Sequence, residues 1–273
     1  MSELIIEAGR TEGQYWRDVW GYRELFYVLA WRDIAVRYKQ TSIGILWALI
    51  QPFLNSVVMT FIFEYVAKVQ PVGKVPYLLM VFVATMPWQF FSTSLSGATQ
   101  SVLSNAGLIS KIYFPRLIIP AGAVVTALAD LGVAFILLLG IMAYYWYWPT
   151  WRMLFLPLFV LLGFGAALGP GLFLTALTVK YRDFRIIVPF VVQLGYFLTP
   201  VAYPTSRVPE KWLALYSLNP MVAVIDGFRW SILGGDFALR PATFVLSLSM
   251  TIFFMLLGVW YFRKTERSFA DVI

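Results

Sequence analysis

No histidine and no cysteine occur among the 273 residues of this chain. Without cysteine there is neither a disulfide framework nor a thiolate to hold a metal or attack a substrate. Without histidine, the usual general base near neutral pH and the commonest metal ligand are both missing. Charge is scarce too: 13% of residues carry it, against about 25% in an ordinary soluble domain. Paired carboxylates and nucleophile motifs are lacking, and so is a phosphate-cradling G-x-x-x-x-G-K-[ST] loop; the nearest fragment, Gly73-Lys74, is followed by Val75. Catalysis by this chain alone, ATP hydrolysis included, is not expected, and no metal site or bound cofactor is either. Residues 1–40 are too charged for a signal peptide, because no apolar core follows an initial basic stretch.

What the sequence has in excess is apolar side chain, at 60% of residues, 18% being aromatic. Runs of about 20 apolar residues, enough for a helix to cross a hydrocarbon layer roughly 30 Å thick, recur along it. Stretches such as Leu131 to Ile141 show no period of two, which argues against barrel strands. The predicted fold is an all-α integral membrane domain with six transmembrane helices. They cover Ile43 to Val66, Val75 to Ser101, Leu117 to Trp148, Met153 to Thr178, Ile186 to Val201 and Thr243 to Tyr261. Residues 1–42 form an interface segment, 43–263 the six-helix region and 264–273 a tail. Lysine and arginine concentrate in the N-terminal segment, the second and fourth connections and the tail, which places both termini in the cytoplasm. Arg207, Lys211, Arg229 and Arg240 are counted with the outer loops. Tyr144, Tyr145, Trp146, Tyr147, Trp148 and Trp151 bunch at an outer turn, as the rings of a headgroup belt do; sugar binding is the alternative.

Two segments break the pattern of simple spans. Ala202 to Pro241 is apolar yet interrupted by Pro204, Pro209, Pro220, Gly227, Gly234, Gly235 and Pro241, and its longest run, Met221 to Leu233, is too short to span. Such a run suits a re-entrant helix at the outer face, covered by protein. Before the first span, Tyr27, Trp31, Ile34 and Tyr38 share one helical face, with Arg32, Val36, Lys39 and Gln40 on the other. That describes an amphipathic helix lying on the membrane surface, or one packed internally.

Single residues add less. Asp130 is the acidic residue near the centre of an apolar span, where a charge costs about 2.5 to 3.5 kcal/mol. It reads as a hydrogen-bonded packing residue or as a proton carrier, with no intramembrane basic partner evident. Glu64 lies near an outer end. Gln51 and Asn55 in the first span line a polar passage or bond to neighbouring helices. Gly165 and Gly169 form a G-x-x-x-G pattern that permits close helix approach. Pro52 and Pro87 interrupt backbone bonding within spans.

The segment WRDIAVRYKQTSIGILWALIQPF, from Trp31 to Phe53, resembles the membrane subunits of the ABC-2 family that export polysaccharides. So do Ser104 to Pro120, Val179 to Phe190 and Val208 to Gly235, in family order. The likeness is closest to O-antigen exporters, with capsule and teichoic acid exporters as near relatives. It implies a homodimeric permease bound to two copies of a separate ATPase subunit, which holds ATP and magnesium. It implies that Leu103 to Pro115 is a coupling helix docking on that ATPase, with Asn105, Lys111, Tyr113, Phe114 and Arg116 assigned there. The surface helix matches a cytoplasmic gate helix, where Trp31, Arg32, Arg37 and Lys39 meet a lipid-linked diphosphate or anionic lipid. Pro209 to Tyr216 and Met221 to Leu233 match a re-entrant pair. Phe53, Phe61, Tyr196, Phe197 and Tyr203 are candidate rings lining a glycan passage. Competing readings are a drug or small-lipid exporter of the same fold, a proton-driven carrier centred on Asp130, and a glycosyltransferase.

Overall fold

The structure, a computed structural model, describes residues 12–39, 44–235, 237–266 and 269. Residues 1–11 and 40–43, and most of the tail, lie outside the described residues, and with them Gln40 and the first residue of the expected first span.

Among the described residues the apolar runs are laid out as helices and no strand occurs. In chain order they are α1 (Glu12–Gly21), α2 (Arg23–Lys39), α3 (Gly44–Thr60), α4 (Tyr77–Ser104), α5 (Ala106–Ile109), α6 (Ile118–Tyr144), α7 (Leu156–Lys180), α8 (Phe184–Leu198), α9 (Glu210–Tyr216), α10 (Pro220–Leu233) and α11 (Pro241–Thr265). The end of α3 widens into a π-helical turn, Phe61–Val66, and a 3-10 turn, Trp151–Phe155, leads into α7. Leu46–Val66, α4, α6, Trp151–Lys180 and α11 are long and apolar enough to cross a membrane. In place of the expected span Ile186 to Val201 stands α8, with 15 residues and a rise of about 22 Å, shorter than the hydrocarbon layer. It stops at Leu198 because Thr199 precedes Pro200 and takes the extended backbone that a following proline favours.

Side-chain bonds tie α1, the α5 region and the last turn of α11 together at one end, here termed proximal. The Tyr15 hydroxyl donates to the Glu266 carboxylate at 3.1 Å, and the Arg116 guanidinium donates to the Glu266 carbonyl. Burial and the neighbouring Glu266 push the Tyr15 phenol up, so it stays a donor. The π turn, residues 67–76, the Tyr144 to Trp151 turn and α9 lie at the opposite, distal end. There Arg207 donates to the Gln70 carbonyl at 3.1 Å and Tyr147 to the Leu233 carbonyl.

At the centre stands α4, packed on α6 and α7 along most of its length and also on α3, α8 and α10. Of its most apolar stretch 72% is buried, against 17% for α3. Helix α7 packs as extensively on α11, and glycine is the reason. A Cβ on Gly169 would stand 2.6 Å from the Met255 backbone nitrogen, and one on Gly258 would stand 2.0 Å from the Gly169 carbonyl oxygen. The G-x-x-x-G face of α7 therefore meets a counter-glycine on α11, and the two backbones touch. Gly165, one turn away, faces only the Thr251 methyl at 3.4 Å.

Helix α10 fits the Met221 to Leu233 run and is buried along nearly its whole length among α4, α7 and α11. Its start is set by Asn219, whose side chain accepts from the Met221 N–H at 2.9 Å, with Pro220 in the first turn. Gly234, at φ +73°, ends it. Arg229, counted above as an outer-loop charge, is instead fully buried on this helix.

Candidate functional site

The residues singled out in the sequence fall in separate parts of the fold. At the proximal end, Asn105 caps the junction of α4 and α5. Its Nδ2 donates to the Ser101 carbonyl at 2.9 Å, while its Oδ1 accepts from Arg32 Nη2 at 3.0 Å. Arg32 also grips its neighbour Asp33, at 2.7 and 2.9 Å. A residue assigned to coupling and one assigned to the gate helix are thus bonded within one chain. Beyond Asn105, Ile109, Ser110, Lys111, Ile112, Tyr113, Phe114 and Arg116 line an open hollow of about 210 Å³. Lys111 and Tyr113 are exposed there, whereas Phe114 is 4% exposed and belongs to the core. Arg116 turns inward to the Glu266 carbonyl and lies 5.9 Å from the Phe269 ring.

Helix α2 packs along α6, and Leu29 and Ala30 are its buried residues. The expected aromatic face is covered only in part. Tyr27 and Trp31 are exposed and stacked, 6.5 Å apart, while Ile34 and Tyr38 are half-buried. At the end of α2, Arg37 pairs with Asp130 Oδ2 and the Tyr38 hydroxyl donates to Asp130 Oδ1. No intramembrane basic partner was expected for Asp130, and the one it has comes from a helix outside the spans. Burial and Asp130 together push the Tyr38 phenol up, so it remains a donor to the carboxylate. Lys39 is exposed.

The aromatic candidates divide. Tyr196 and Phe197 on α8 meet edge to face at 5.5 Å, and Tyr196 reaches Trp88 of α4 at 6.0 Å. Tyr203 lies 6.4 Å from Phe63 and shares a 2.7 Å hydroxyl hydrogen bond with Tyr216 at the distal end. Phe53 packs partly buried against the core, and Phe61 stacks on Tyr65 at 6.1 Å. Neither joins the other two clusters.

The middle of the bundle holds a polar feature besides the rings. Gln89, Ser92, Thr93, Ser96 and Gln100 recur every three or four residues on the proximal half of α4 and are partly exposed. They lie between the edge of α4 that meets α8 at Trp88 and the edge that meets α6, where Gly97 faces Ala123. Helix α3 covers the distal part of this face, where Ser56 donates to Thr85 Oγ1 at 3.2 Å. Thr99, Thr126, Thr175 and Thr178 bond back to carbonyls four residues earlier, as hydroxyls in apolar helices do. Gln89 donates to Thr93 at 3.4 Å, but among the described residues the side chains of Ser92, Ser96 and Gln100 have no hydrogen-bond partner. Their helical spacing was visible in the sequence; its signal is polar residues at one phase of an apolar span. Gln51 and Asn55 are also exposed, one turn apart on α3.

Residues 24–233 match the model of the ABC-2 type transporter family. The chain is 31% identical to the O-antigen export system permease protein RfbA of Myxococcus xanthus, over 78% of this chain and 82% of that one. It is 26% identical to the protein of the same name from Klebsiella pneumoniae, over 92% and 95%. It is 21% identical to the polysialic acid transport protein KpsM of Escherichia coli, over 87% and 92%.

Proposed function

The chain belongs to the ABC-2 type transporter family, and on that premise we propose that it is the membrane subunit of an exporter that moves lipid-linked, O-antigen-like polysaccharide out of the cytoplasm. It is a multi-pass membrane permease. Energy comes from two copies of a separate ATPase subunit, which bind ATP and magnesium, because this sequence has no phosphate loop. The proximal end faces the cytoplasm, both termini lie on that side, and α8 with the turn after it completes a sixth crossing. Helices α9 and α10 form the outer re-entrant pair.

One observation carries the reading. The amides and hydroxyls of the α4 track, with Gln51 and Asn55 on α3, are open to the surroundings of a single chain at membrane depth, where unpaired polar groups are costly. A second copy of the chain facing them encloses a polar passage, and a two-fold axis makes both walls from one surface. Sugar hydroxyls then supply the missing hydrogen bonds, and Tyr196, Phe197 and Trp88 offer flat faces to the rings. ATP binding to the partner shifts the permease between two arrangements by favouring one of them. The hollow beside Lys111 and Tyr113 is where the partner docks, and Arg32 and Lys39 draw the diphosphate of the lipid carrier.

The test uses inverted membrane vesicles that contain the permease and its ATPase. ATP should drive lipid-linked glycan into the lumen, and the purified permease alone should not hydrolyse ATP. Accumulation that persists without the ATPase subunit would sink the reading. Export of capsule-type polymer is the alternative, supported by the similarity to the polysialic acid transport protein; offering both glycans to the same vesicles separates the two.

A further inference from the structure

Two distant stretches of chain meet on the end of α11. Glu266, the C-cap of that helix, is the point they share. Its backbone carbonyl accepts from Arg116 Nη1, and its carboxylate accepts from the Tyr15 hydroxyl at 3.1 Å. Just beyond it the Phe269 ring is 1% exposed, edge-on to the buried Phe262 at 5.4 Å, with the Arg116 guanidinium 5.9 Å from its centre. Arg263, in the same last turn, lies 4.5 Å from the Tyr15 ring. The final carbonyls of a helix have no helical N–H to accept from. A guanidinium suits them on two counts: it brings several donors, and its charge faces the negative end of the dipole.

Arg116 is also the last of the residues that border the proximal hollow. The stretch before it needs such an anchor. Tyr113, Phe114 and Pro115 have no helical structure, so no ladder of backbone bonds sets their course. Phe114 pins the middle of the loop to the core. Arg116 pins its end, and with its guanidinium engaged by the end of α11 the side chains left open to a partner are Lys111, Ile112 and Tyr113.

We infer that Arg116 is a positioning residue and not a contact of the partner: through it, Glu266 and Phe269, braced by Tyr15 of α1, fix the loop that presents Lys111, Ile112 and Tyr113 to the ATPase subunit. The inference rests on the exporter reading above, with the hollow as the docking place. It makes the docking surface the joint product of α1, the connection between α4 and α6, and the residues that follow α11.

The test titrates the purified ATPase subunit against the full chain in detergent, giving a Kd, with a thermal melt of each preparation to verify folding. Phe269→Ala should raise the Kd about tenfold, because docking must then restore order to a loosened loop. Arg116→Ala should match it. The two changes together should weaken capture no further than either alone, since both act through one contact. A ring that merely adds to the core would instead multiply its effect with that of Arg116→Ala. Unchanged capture by Phe269→Ala, or multiplied effects in the double variant, overturns the inference. Should Phe269→Ala fail to fold, Tyr15→Phe decides in its place, because it removes only the hydroxyl that grips Glu266. Weaker capture then supports the inference and an unchanged Kd overturns it. Tyr113→Ala separates this from the reading beneath it: if that variant binds as tightly as the unsubstituted chain, the hollow is not the docking place. An unsubstituted chain that captures no ATPase subunit would count against the exporter reading itself.

Discussion

Arg37, near the end of α2, forms an ion pair with Asp130, near the middle of α6, across ninety-three residues of chain. The second carboxylate oxygen is taken by Tyr38. Both carboxylate oxygens of Asp130 are thus taken by adjacent side chains of α2. The pair fastens the end of α2 to α6, a span that begins just after the hollow lined by Lys111 and Tyr113.

Asp130→Ala should lower the stability of the detergent-solubilised permease by about 1–2 kcal/mol, the range for a partly exposed pair. Exchanging the charges, Arg37→Asp with Asp130→Arg, should recover much of it. Export at constant ATP should survive collapse of the proton gradient. Thermal unfolding with and without the exchange, and export with an ionophore present, check both statements.

Breaking the contact between Arg32 and Asn105 should separate ATP hydrolysis from export. Asn105→Leu removes the acceptor at 3.0 Å and leaves α4 intact, so the ATPase should still co-purify with the permease. Glycan exported per ATP hydrolysed should fall about fivefold, the worth of roughly 1 kcal/mol. An unchanged ratio would mean that α2 takes no part in transmission.

Tyr113 and Phe114 stand side by side in sequence but should answer differently to truncation. Tyr113→Ala trims a half-exposed ring beside the hollow, and should weaken capture of the ATPase subunit at least tenfold without changing the melting temperature, as loss of an interface anchor does. Phe114→Ala empties part of the core and should cost about 3–5 kcal/mol of stability. Pull-down and thermal melts on the same preparations distinguish the two effects.

Close approach of α7 and α11 predicts a steep dependence on single methyl groups. Gly169→Ala and Gly258→Ala each drive a Cβ into backbone and should cost about 1–3 kcal/mol or more, with loss of folded protein. Gly165→Ala, facing only a methyl at 3.4 Å, should be tolerated. Equal behaviour of all three would contradict the packing described.

The membrane helices were legible because burial in lipid leaves long apolar runs, and the limits of α10 because Pro220 and Gly234 mark them. The short α8 was not, because the run from Ile186 to Val201 is apolar apart from Gln193 and Thr199, and the local pull of Pro200 ends the helix. Arg229 was misplaced because charge in a short, proline-bounded segment reads as a loop residue. Its burial depends on carbonyls near residue 200 that pattern alone does not bring near it. The partner of Asp130 was hidden for a similar reason: Arg37 sits outside any span, and only the packing of α2 along α6 brings the two together. The polar residues on α4 are small or uncharged and lie three or four apart within a long apolar span, so they barely interrupt its pattern.

The contact of Gly169 with Gly258 also bears on how the protein is made. Helix α11 is synthesised after α7, so until it arrives α7 presents bare glycine to the lipid and its partner surface does not yet exist. The early pairing of α4 with α6 and α7 can form meanwhile, but α10 has only part of its cover until residues 241–265 arrive. A ribosome stalled before Gly258 should therefore leave an inserted but unfinished bundle, recognisable by membrane quality control, and addition of the last helix as a separate polypeptide should rescue it.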